Sequence, residues 1–441
     1  MKSFFRKHMV TFSVLSLLLL LLLIYNSDRV SAVDRSTYKS LKTFNEVLDM
    51  VEKNYVEEVT LQELIRGAIS GMMKSLDPHS TFMTAEEYKD LEVETKGSFG
   101  GIGIEITILK DVLTVVSPIE DTPAFQAGIK PGDQIIKING ESTKDITIQE
   151  AVKKLRGPKD TKVTITIIRE NLAKPRDIVL TRAIIKIASV KSRPMDDGIG
   201  YIRVASFQER TGDDLRKAIK EMQPKGNPLR GIILDLRNNP GGLLNQSIEV
   251  SDVFLKSGTI VSTRGRNKAM DTSASAKNDG DEPVCPIVVL VNEGSASASE
   301  IVAGALQDNG RAIILGTQTF GKGSVQTLIP LEDGAAMKLT TAKYYTPNGR
   351  SIQAEGITPD ITLKYIRPAE EANGEGDRDP LREKDLKGHI KSPKENGPQT
   401  EEPAAPTRKD AEDVAFAQDN QIKAAADILK SLNIFMKGKK N

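Results

Sequence analysis

The 441-residue chain is predicted to be a multidomain α/β protein, and three changes of pattern along it support this prediction. Near the N-terminal end, apolar residues recur every three or four positions, which is typical of amphipathic helices. From about residue 97, apolar residues alternate with polar ones, which is typical of half-buried strands. From about residue 184, short apolar strands alternate with helices, and this predicts an α/β sheet core.

The composition excludes several functional classes. The chain has 61 basic and 60 acidic residues, whereas nucleic-acid binders carry a basic excess, so no nucleic-acid partner is expected. The single cysteine, Cys285, excludes an internal disulfide framework and any multi-cysteine metal site, and we predict a structural role for it. Only three histidines are present (His8, His79 and His389), so we expect no metal centre and no cofactor.

Residues 1–32 are predicted to be a signal peptide or an N-terminal membrane anchor. A basic cluster precedes the uncharged, leucine-rich run Met9–Ile24, which has 16 residues. A full bilayer span needs about 20 residues and a signal h-region about 7–15. Small residues before Ala32 form a cleavage-site pattern, which favours a cleaved signal. Either alternative predicts a protein in the periplasm or at the extracytoplasmic face of the cell envelope.

Segment 33–96 is predicted to be helical. One amphipathic run contains Leu41, Phe44 and Val47, and a second contains Leu61 and Ile65. These apolar faces predict a homodimer, although they could equally pack on the protein's own core.

Two folded regions follow, 97–182 and 183–366. The first is predicted to be a compact β-rich module, in which alternating strands flank a short helix, the strand Gln134–Ile138 and a helix Thr147–Leu155. In the second, buried strands alternate with helices. The predicted strands and helices of this second region are Ile232–Leu234, Leu243–Leu255, Ile287–Val291, Ser297–Gln307 and Ala312–Leu315.

The last two segments are predicted to be a disordered linker, 367–410, and a C-terminal helical tail, 411–441. The linker holds six prolines and no aromatic residue, so it cannot bury enough apolar surface to offset its ordering entropy. In the tail, one helix face gathers apolar residues that we expect to dock on another surface, either a second copy of the chain or the protein's own core: Ile422, Ala425, Ala426, Leu429 and Leu432.

A candidate nucleophile, Ser297, lies where a buried strand turns into a helix. The helix N-terminus favours a developing negative charge at this turn. The alternative is structural, because Ser297 and Glu300 also have the spacing of a helix capping box.

A serine nucleophile needs a base, and histidine is scarce. His8 lies in the leader, His389 lies in the predicted linker, and His79 is expected to end a helix or to make a local hydrogen bond. Lys322, between two glycines, could serve if desolvation lowers its pKa, although a surface lysine in a glycine turn is the simpler reading. Gln326 would share its side of the following strand if that strand begins early.

A third motif, Asp235–Gly242, ends a buried strand in polar residues and Pro-Gly-Gly. Its glycines could offer backbone N–H groups to an oxyanion, or could simply form a tight turn.

Together, these three motifs resemble the carboxyl-terminal processing proteases, which are secreted Ser-Lys peptidases with an embedded PDZ domain and a crotonase-like core. The resemblance implies that Ser297 is the nucleophile, Lys322 the base and Gln326 the residue that orients the base. It also implies oxyanion donors at the backbone N–H of Ala298 and of Gly241 or Gly242. An acyl-CoA enzyme, suggested by the crotonase-like core, fits the module and the leader badly.

The 97–182 module resembles the PDZ domain of that family. Its glycine-rich loop leads into a strand, and the backbone N–H groups there could bind a terminal carboxylate while the strand edge pairs with a peptide. The residues concerned are Gly101, Ile102, Gly103 and Ile104. A simple β-barrel with a flexible loop is the alternative. Arg156 is expected to link the module to the protease core.

We therefore predict a serine endopeptidase that captures unstructured, apolar protein C-termini through the PDZ module and cleaves the chain with Ser297 and Lys322. Its partners would be unfolded or C-terminally exposed proteins and a second copy of the chain, and an adaptor or activator is left open. The rival hypothesis is a non-catalytic scaffold that binds peptides without cleaving them.

Overall fold

The computed structural model describes residues 35–169, 174–223, 228–366, 382–385, 416 and 418–438. The predicted leader, 1–32, lies outside these residues. Within them, we find no helix with both the length and the apolar character needed to cross a membrane. Internal contacts divide the chain into two compact units, Met1–Met72 and Met73–Asn441.

The first unit contains helix α1 (Arg35–Asn54) and most of helix α2 (Leu61–Lys74), as the two amphipathic runs predict. Residues 55–60 separate the two helices. At the start of α2, the backbone N–H of Glu63 donates to Thr60 Oγ1. Apolar side chains of α1 are exposed, with Leu41 55%, Phe44 43% and Val47 52% accessible.

The second unit begins with strand β1 (Thr81–Met83), helix α3 (Ala85–Lys96) and strand β2 (Ser98–Gly101), and continues into the β-rich module. The elements of the module are β3 (Ile104–Leu109), β4 (Val112–Pro118), α4 (Pro123–Gln126), β5 (Gln134–Ile138), β6 (Glu141–Ser142), α5 (Ile148–Leu155), β7 (Lys162–Ile168) and β8 (Arg176–Thr181). They form an antiparallel sheet of order β3-β4-β5-β7-β8, with β6 paired to β5. Strand β3 therefore lies at one edge of this sheet.

The α/β region that follows supplies most of the core. Its elements are β9 (Ala183–Lys186), β10 (Val190–Pro194), β11 (Ile199–Val204), α6 (Thr211–Glu221), β12 (Gly231–Asp235), α7 (Leu244–Asp252), β13 (Thr259–Gly265), β14 (Thr272–Ser275), β15 (Ile287–Val291), α8 (Ala298–Asp308), β16 (Ile313–Gly316), β17 (Ser324–Pro330), β18 (Ala336–Tyr345), β19 (Ile361–Thr362) and α9 (Asn420–Gly438). Short 3₁₀ turns lie at Asp196–Gly198, Lys268–Met270 and Glu383–Asp385.

The central sheet has the order β10-β11-β12-β15-β16-β19, and it is parallel from β11 to β19. One face packs against α6, α7 and α8, and the other face packs against α9. Because both faces are covered, its inner strands β12, β15 and β16 are nearly continuous apolar runs rather than alternating ones. Cys285, just ahead of β15, is buried, and burial raises the pKa of its thiol.

The second sheet of this region has the order β1-β18-β13-β14, with β17 paired to β18. It is antiparallel, and residues of β13 and β18 join the core beneath α7 and α8. Strand β17 directly follows Lys322, so this sheet borders the predicted base.

Of the two alternatives for the C-terminal helix, the structure shows docking on the protein's own core, with Ile422, Ala425 and Leu429 buried on the central sheet. The predicted linker 367–410 needs a correction, because Glu383 lies in a described 3₁₀ turn and is fully buried. Composition is an average over the whole of segment 367–410, so it does not identify the single residue Glu383, which is buried and hydrogen-bonded. The rest of that linker lies outside the described residues.

Candidate active site

The three predicted motifs converge because of the topology of the central sheet. Strands β12, β15 and β16 are parallel neighbours, so their carboxyl ends lie at one edge. Strand β12 leads into the Asp235–Gly242 motif, β15 leads towards Ser297, and β16 leads into the loop that carries Lys322.

Ser297 is held in a strained conformation. It is the N-cap of α8 with φ 53° and ψ −110°, which is uncommon for a residue with a side chain, and it is 8% exposed. The turn before it is tied to the end of β12. Ser295 Oγ donates to the Leu236 carbonyl at 2.8 Å, and the Ala296 N–H donates to the Asn239 carbonyl at 3.0 Å. A strained residue that its neighbours fix in this way is typical of functional sites.

Glu300 joins the Ser297 turn to the Lys322 loop. Its Oε2 accepts the backbone N–H groups of Ser297, at 2.8 Å, and of Lys322, at 2.9 Å. Its Oε1 accepts the Gly321 N–H at 2.7 Å and the Thr319 hydroxyl at 2.6 Å. Glu300 therefore has a second role beyond the capping box, because the same carboxylate also accepts backbone N–H groups from the Lys322 loop. The sequence alone indicates only the capping role of Glu300, because its contacts with the Lys322 loop are long-range.

Burial governs the protonation of Glu300. The carboxyl is fully buried, and burial raises its pKa to about 7, against the opposing effect of the donated hydrogen bonds. All four donors favour the ionised form, so the clamp is strongest when Glu300 is a carboxylate.

Lys322 is partly buried beside this clamp. Burial lowers the pKa of its amine, and Lys338 lowers it further, while Glu383, Glu300 and Asp77 oppose both effects. Within the described part of the chain, no residue accepts a hydrogen bond from its side-chain nitrogen. A lysine in such a setting can supply a neutral amine at lower pH than a surface lysine can.

Gln326 lies on β17 with its amide nitrogen bonded to Ser324 Oγ at 2.9 Å and to Thr340 Oγ1 at 3.2 Å. Ser324 and Gln326 are therefore in contact. Strand β17 begins only at Ser324, so the early start that would place Lys322 on the same side of the strand is not found in the described residues. A hydrogen bond from Lys322 to Gln326 is not among the contacts of the described residues, so the orienting role of Gln326 stays a prediction.

The two glycines of the Asp235–Gly242 motif have different surroundings. A Cβ on Gly241 (φ +105°) would lie 2.9 Å from Ser297 Cβ and 3.1 Å from the Ala298 nitrogen. The Gly241 N–H donates to Asn239 Oδ1 at 2.9 Å. Gly242 packs on Phe207, where a Cβ would meet the carbonyl oxygen at 2.2 Å. Among the described residues, the N–H groups of Gly242 and Ala298 have no acceptor.

His79 does not make the local side-chain contact that the sequence suggests. Its Nε2 lies 2.7 Å from both carboxylate oxygens of Glu383, more than three hundred positions along the chain. The local bond is made by the backbone instead, because the His79 N–H donates to Asp77 Oδ1 at 2.8 Å. Burial raises the pKa of Asp77, but hydrogen bonds from Ser80, His79 and Thr340 outweigh it, and the net pKa is lowered.

A groove lies between β3 and α5 in the β-rich module. The four predicted residues of the glycine-rich loop, Gly101 to Ile104, line it together with Val152 and Leu155. Arg156, at the end of α5, contacts the Phe99 ring and Asp90 of α3 rather than the described residues of 183–366. The prediction that Arg156 links the module to the protease core is therefore wrong. Among the described residues, its side chain contacts α3 and β2 instead.

Comparison with known families gives three matches along the chain. Residues 198–363 match the model of peptidase family S41, residues 114–169 match a PDZ domain, and residues 25–87 match the N-terminal domain of the activating protease CtpB. A carboxy-terminal-processing protease of Bartonella bacilliformis is 48% identical over 367 residues, which cover 82% of this chain and 83% of the relative. The chain belongs to the carboxy-terminal-processing protease family.

A further curated relative agrees with this assignment. A probable CtpA-like serine protease of Staphylococcus aureus is 33% identical over 344 residues, covering 77% of this chain and 68% of the relative. Among solved structures, the photosystem II D1 C-terminal processing protease is similar at 30% identity and a TM-score of 0.43, covering 73% of this chain and 92% of that one. The predicted multidomain α/β fold with a PDZ domain and a protease core is confirmed, and the protein is a serine-type peptidase.

Proposed function

We propose that this protein is a secreted or envelope-bound endopeptidase that uses Ser297 and Lys322 as a catalytic pair on unstructured, apolar protein C-termini. The observation that carries the proposal is the shared carboxylate of Glu300. One oxygen of Glu300 accepts the backbone N–H groups of both residues. The distance between these two backbone nitrogens therefore cannot exceed the sum of the two hydrogen-bond lengths.

The reaction would follow the chemistry of an activated serine. The neutral amine of Lys322 takes the proton of the Ser297 hydroxyl as its oxygen attacks the peptide carbonyl. The lysine then returns the proton to the leaving amine, and an acyl-enzyme remains on Ser297. A water molecule, deprotonated by the same amine, hydrolyses this ester and frees the serine.

The oxyanion would be held by backbone N–H groups at the N-terminus of α8 and in the Pro-Gly-Gly turn. Ala298 and Gly242 have N–H groups with no acceptor among the described residues, which favours this pair. Gly241 lies against Ser297, but its N–H already binds Asn239, so it could donate only after releasing that bond. Gln326 is proposed to orient Lys322 from the strand that follows the loop.

The PDZ groove is the proposed site for the substrate's C-terminus. Strand β3 is an edge strand, so its free backbone groups can pair with an extended peptide. The residues Gly101 to Ile104, which connect the end of β2 to the start of β3, offer N–H groups for a terminal carboxylate. The groove also contains Ile104, Ile106 and Val152, which favour an apolar last residue.

Location and partners are proposed on the same basis. The leader pattern of residues 1–32 supports a periplasmic or extracytoplasmic location, with membrane contact only through that segment if it is retained. The exposed apolar face of α1 supports a homodimer, with a second copy of the chain as its occupant. An adaptor or activator is a further proposed partner.

The test is cleavage of an unfolded reporter that ends in an apolar tail, compared with the same reporter ending in charged residues. We expect wild-type turnover of the apolar tail, and loss of turnover in Ser297→Ala with tail binding retained. Full activity of Ser297→Ala would refute the site. Binding without turnover by the wild type, with or without cell-envelope extract, would favour the scaffold hypothesis.

A further inference from the structure

A largely buried histidine–glutamate pair next to the Lys322 loop has no part in the reaction proposed above. Glu383 is fully buried, and both of its carboxylate oxygens lie 2.7 Å from Nε2 of His79. A buried carboxylate is costly unless it is paired and hydrogen-bonded. The surroundings of Glu383 therefore indicate what the pair does.

Glu383 is tied to the Lys322 loop on both sides of the lysine. Its backbone N–H donates to the carbonyl of Phe320 at 3.1 Å, two residues before Lys322. Its Oε1 accepts a hydrogen bond from Gln353 Nε2 at 3.0 Å. Gln353 Oε1 in turn accepts the N–H of Gly323, the residue after Lys322, at 3.0 Å.

Two buried glutamates thus hold the same short loop. Glu300, from α8, binds the N–H groups of Gly321 and Lys322. Glu383, from the 3₁₀ turn, fixes Phe320 directly and Gly323 through Gln353. Since a general base must be held in its productive position, the second clamp bears directly on the chemistry.

The charges around the lysine come from four elements. Glu300 on α8, Asp77 ahead of β1 and Glu383 in the 3₁₀ turn favour the protonated amine, and Lys338 on β18 favours the neutral amine. Glu383, held by His79, therefore places negative charge near Lys322 without touching the substrate.

We infer that Glu383, paired with His79, is a positioning residue that fixes the Lys322 loop and sets the charge around the lysine amine. The inference rests on the proposed role of Lys322 as the base, and it adds a residue far along the chain to the site.

The test measures kcat and KM against pH on the unfolded reporter. Glu383→Gln keeps the size and an acceptor for Gln353 but removes the negative charge, so the rising limb of the kcat profile should shift to lower pH by about one unit. His79→Gln replaces the side chain that holds the Glu383 carboxylate, so Glu383 should be held less closely to the Lys322 loop and the same limb should shift to lower pH by a smaller amount. KM should stay unchanged in both. Glu332→Gln, an exposed glutamate in the β17–β18 turn, is the matched control and should behave as wild type.

A purely structural role predicts a different result. It would lower the melting temperature and the amount of active enzyme, but the limb of the profile would stay in place. Unmoved limbs in both glutamine variants, with Ser297→Ala and Lys322→Arg inactive, would overturn the inference and leave the proposed function standing. An active Lys322→Arg would overturn both. If Glu383→Gln fails to fold, the shift in His79→Gln decides, because that side chain is 14% exposed and tolerates replacement better.

Discussion

The proposed catalytic edge of the central sheet and the groove of the PDZ module are both formed at the border of a β-sheet, but from different groups. At the catalytic edge, strands buried on both faces end in loops that buried side chains such as Glu300 and Asn239 hold in place. In the groove, an edge strand and a glycine-rich loop offer backbone groups beside partly exposed apolar side chains. In the proposed function, the first arrangement fixes atoms for a reaction, and the second accepts many peptide sequences. Substitutions in the first should therefore lower kcat, and those in the second should raise KM.

The largest effect is expected from Lys322→Arg. A guanidinium stays protonated at all accessible pH values, so it cannot take the proton of Ser297, and kcat should fall by about 10⁴-fold or more. In the wild type, burial lowers the pKa of Lys322, so activity should rise with pH as the amine loses its proton. The pH profile of kcat measures both. A profile that falls as pH rises through the alkaline range would contradict the role of Lys322 as a base.

A smaller but still large effect is expected from Glu300→Gln. The glutamine amide keeps one acceptor oxygen. Its NH₂ group would replace the other carboxylate oxygen and would face N–H or O–H donors that now bond to that oxygen. The Ser297 turn and the Lys322 loop should separate, and kcat should fall by about 10²-fold with KM little changed. Steady-state kinetics with a circular dichroism spectrum of the variant would measure this. Wild-type kcat in Glu300→Gln would show that the shared carboxylate is dispensable.

An intermediate effect is expected in the groove. Ile106→Ser removes apolar surface that lines it, so KM for the apolar-tailed reporter should rise by about tenfold while kcat is kept. Leu109→Ser, on the same strand but 58% exposed and away from the groove, is the matched control. If both variants show the same KM, the tail is bound elsewhere.

The smallest effect on the single chain is expected on α1. Phe44→Asp places a charge on the exposed apolar face, so the proposed dimer should dissociate, while the free energy of unfolding should change by only about 0.5 kcal/mol. Light scattering after size exclusion would report the mass, with Lys39→Asp on the same helix as control. A dimer that survives Phe44→Asp would remove α1 from the interface.

Structural elements that depend only on neighbouring residues could be predicted from the sequence. The strand Gln134–Ile138 and the helix that follows Thr147 are present as predicted, since periodicity and capping are local properties. The convergence of Ser297, Lys322 and the Pro-Gly-Gly turn followed from the family resemblance, whereas its physical cause is the strand order β12-β15-β16, which no local pattern shows.

Polar contacts between residues far apart in the chain could not be predicted from the sequence. Glu300 has an adequate local explanation as a cap, so nothing in the sequence suggested its bonds to the Lys322 loop. The pairing of His79 with Glu383 joins residues at nearly opposite parts of the chain. Glu383 also lies in a stretch whose average composition predicts disorder, and an average cannot identify one buried residue.

The position of α9 has a consequence for biosynthesis. Ile233, Val288 and Leu290 of the central sheet are buried against this helix, and Arg237, at the end of β12, donates to Asp419 and Gln421 just before and within it. A ribosome makes strands β12 and β15 long before it makes α9, so one apolar face of the sheet stays uncovered while the chain is still emerging. The peptidase core should therefore mature only after synthesis has passed α9, and a chain interrupted earlier should be a substrate for quality control rather than an active protease.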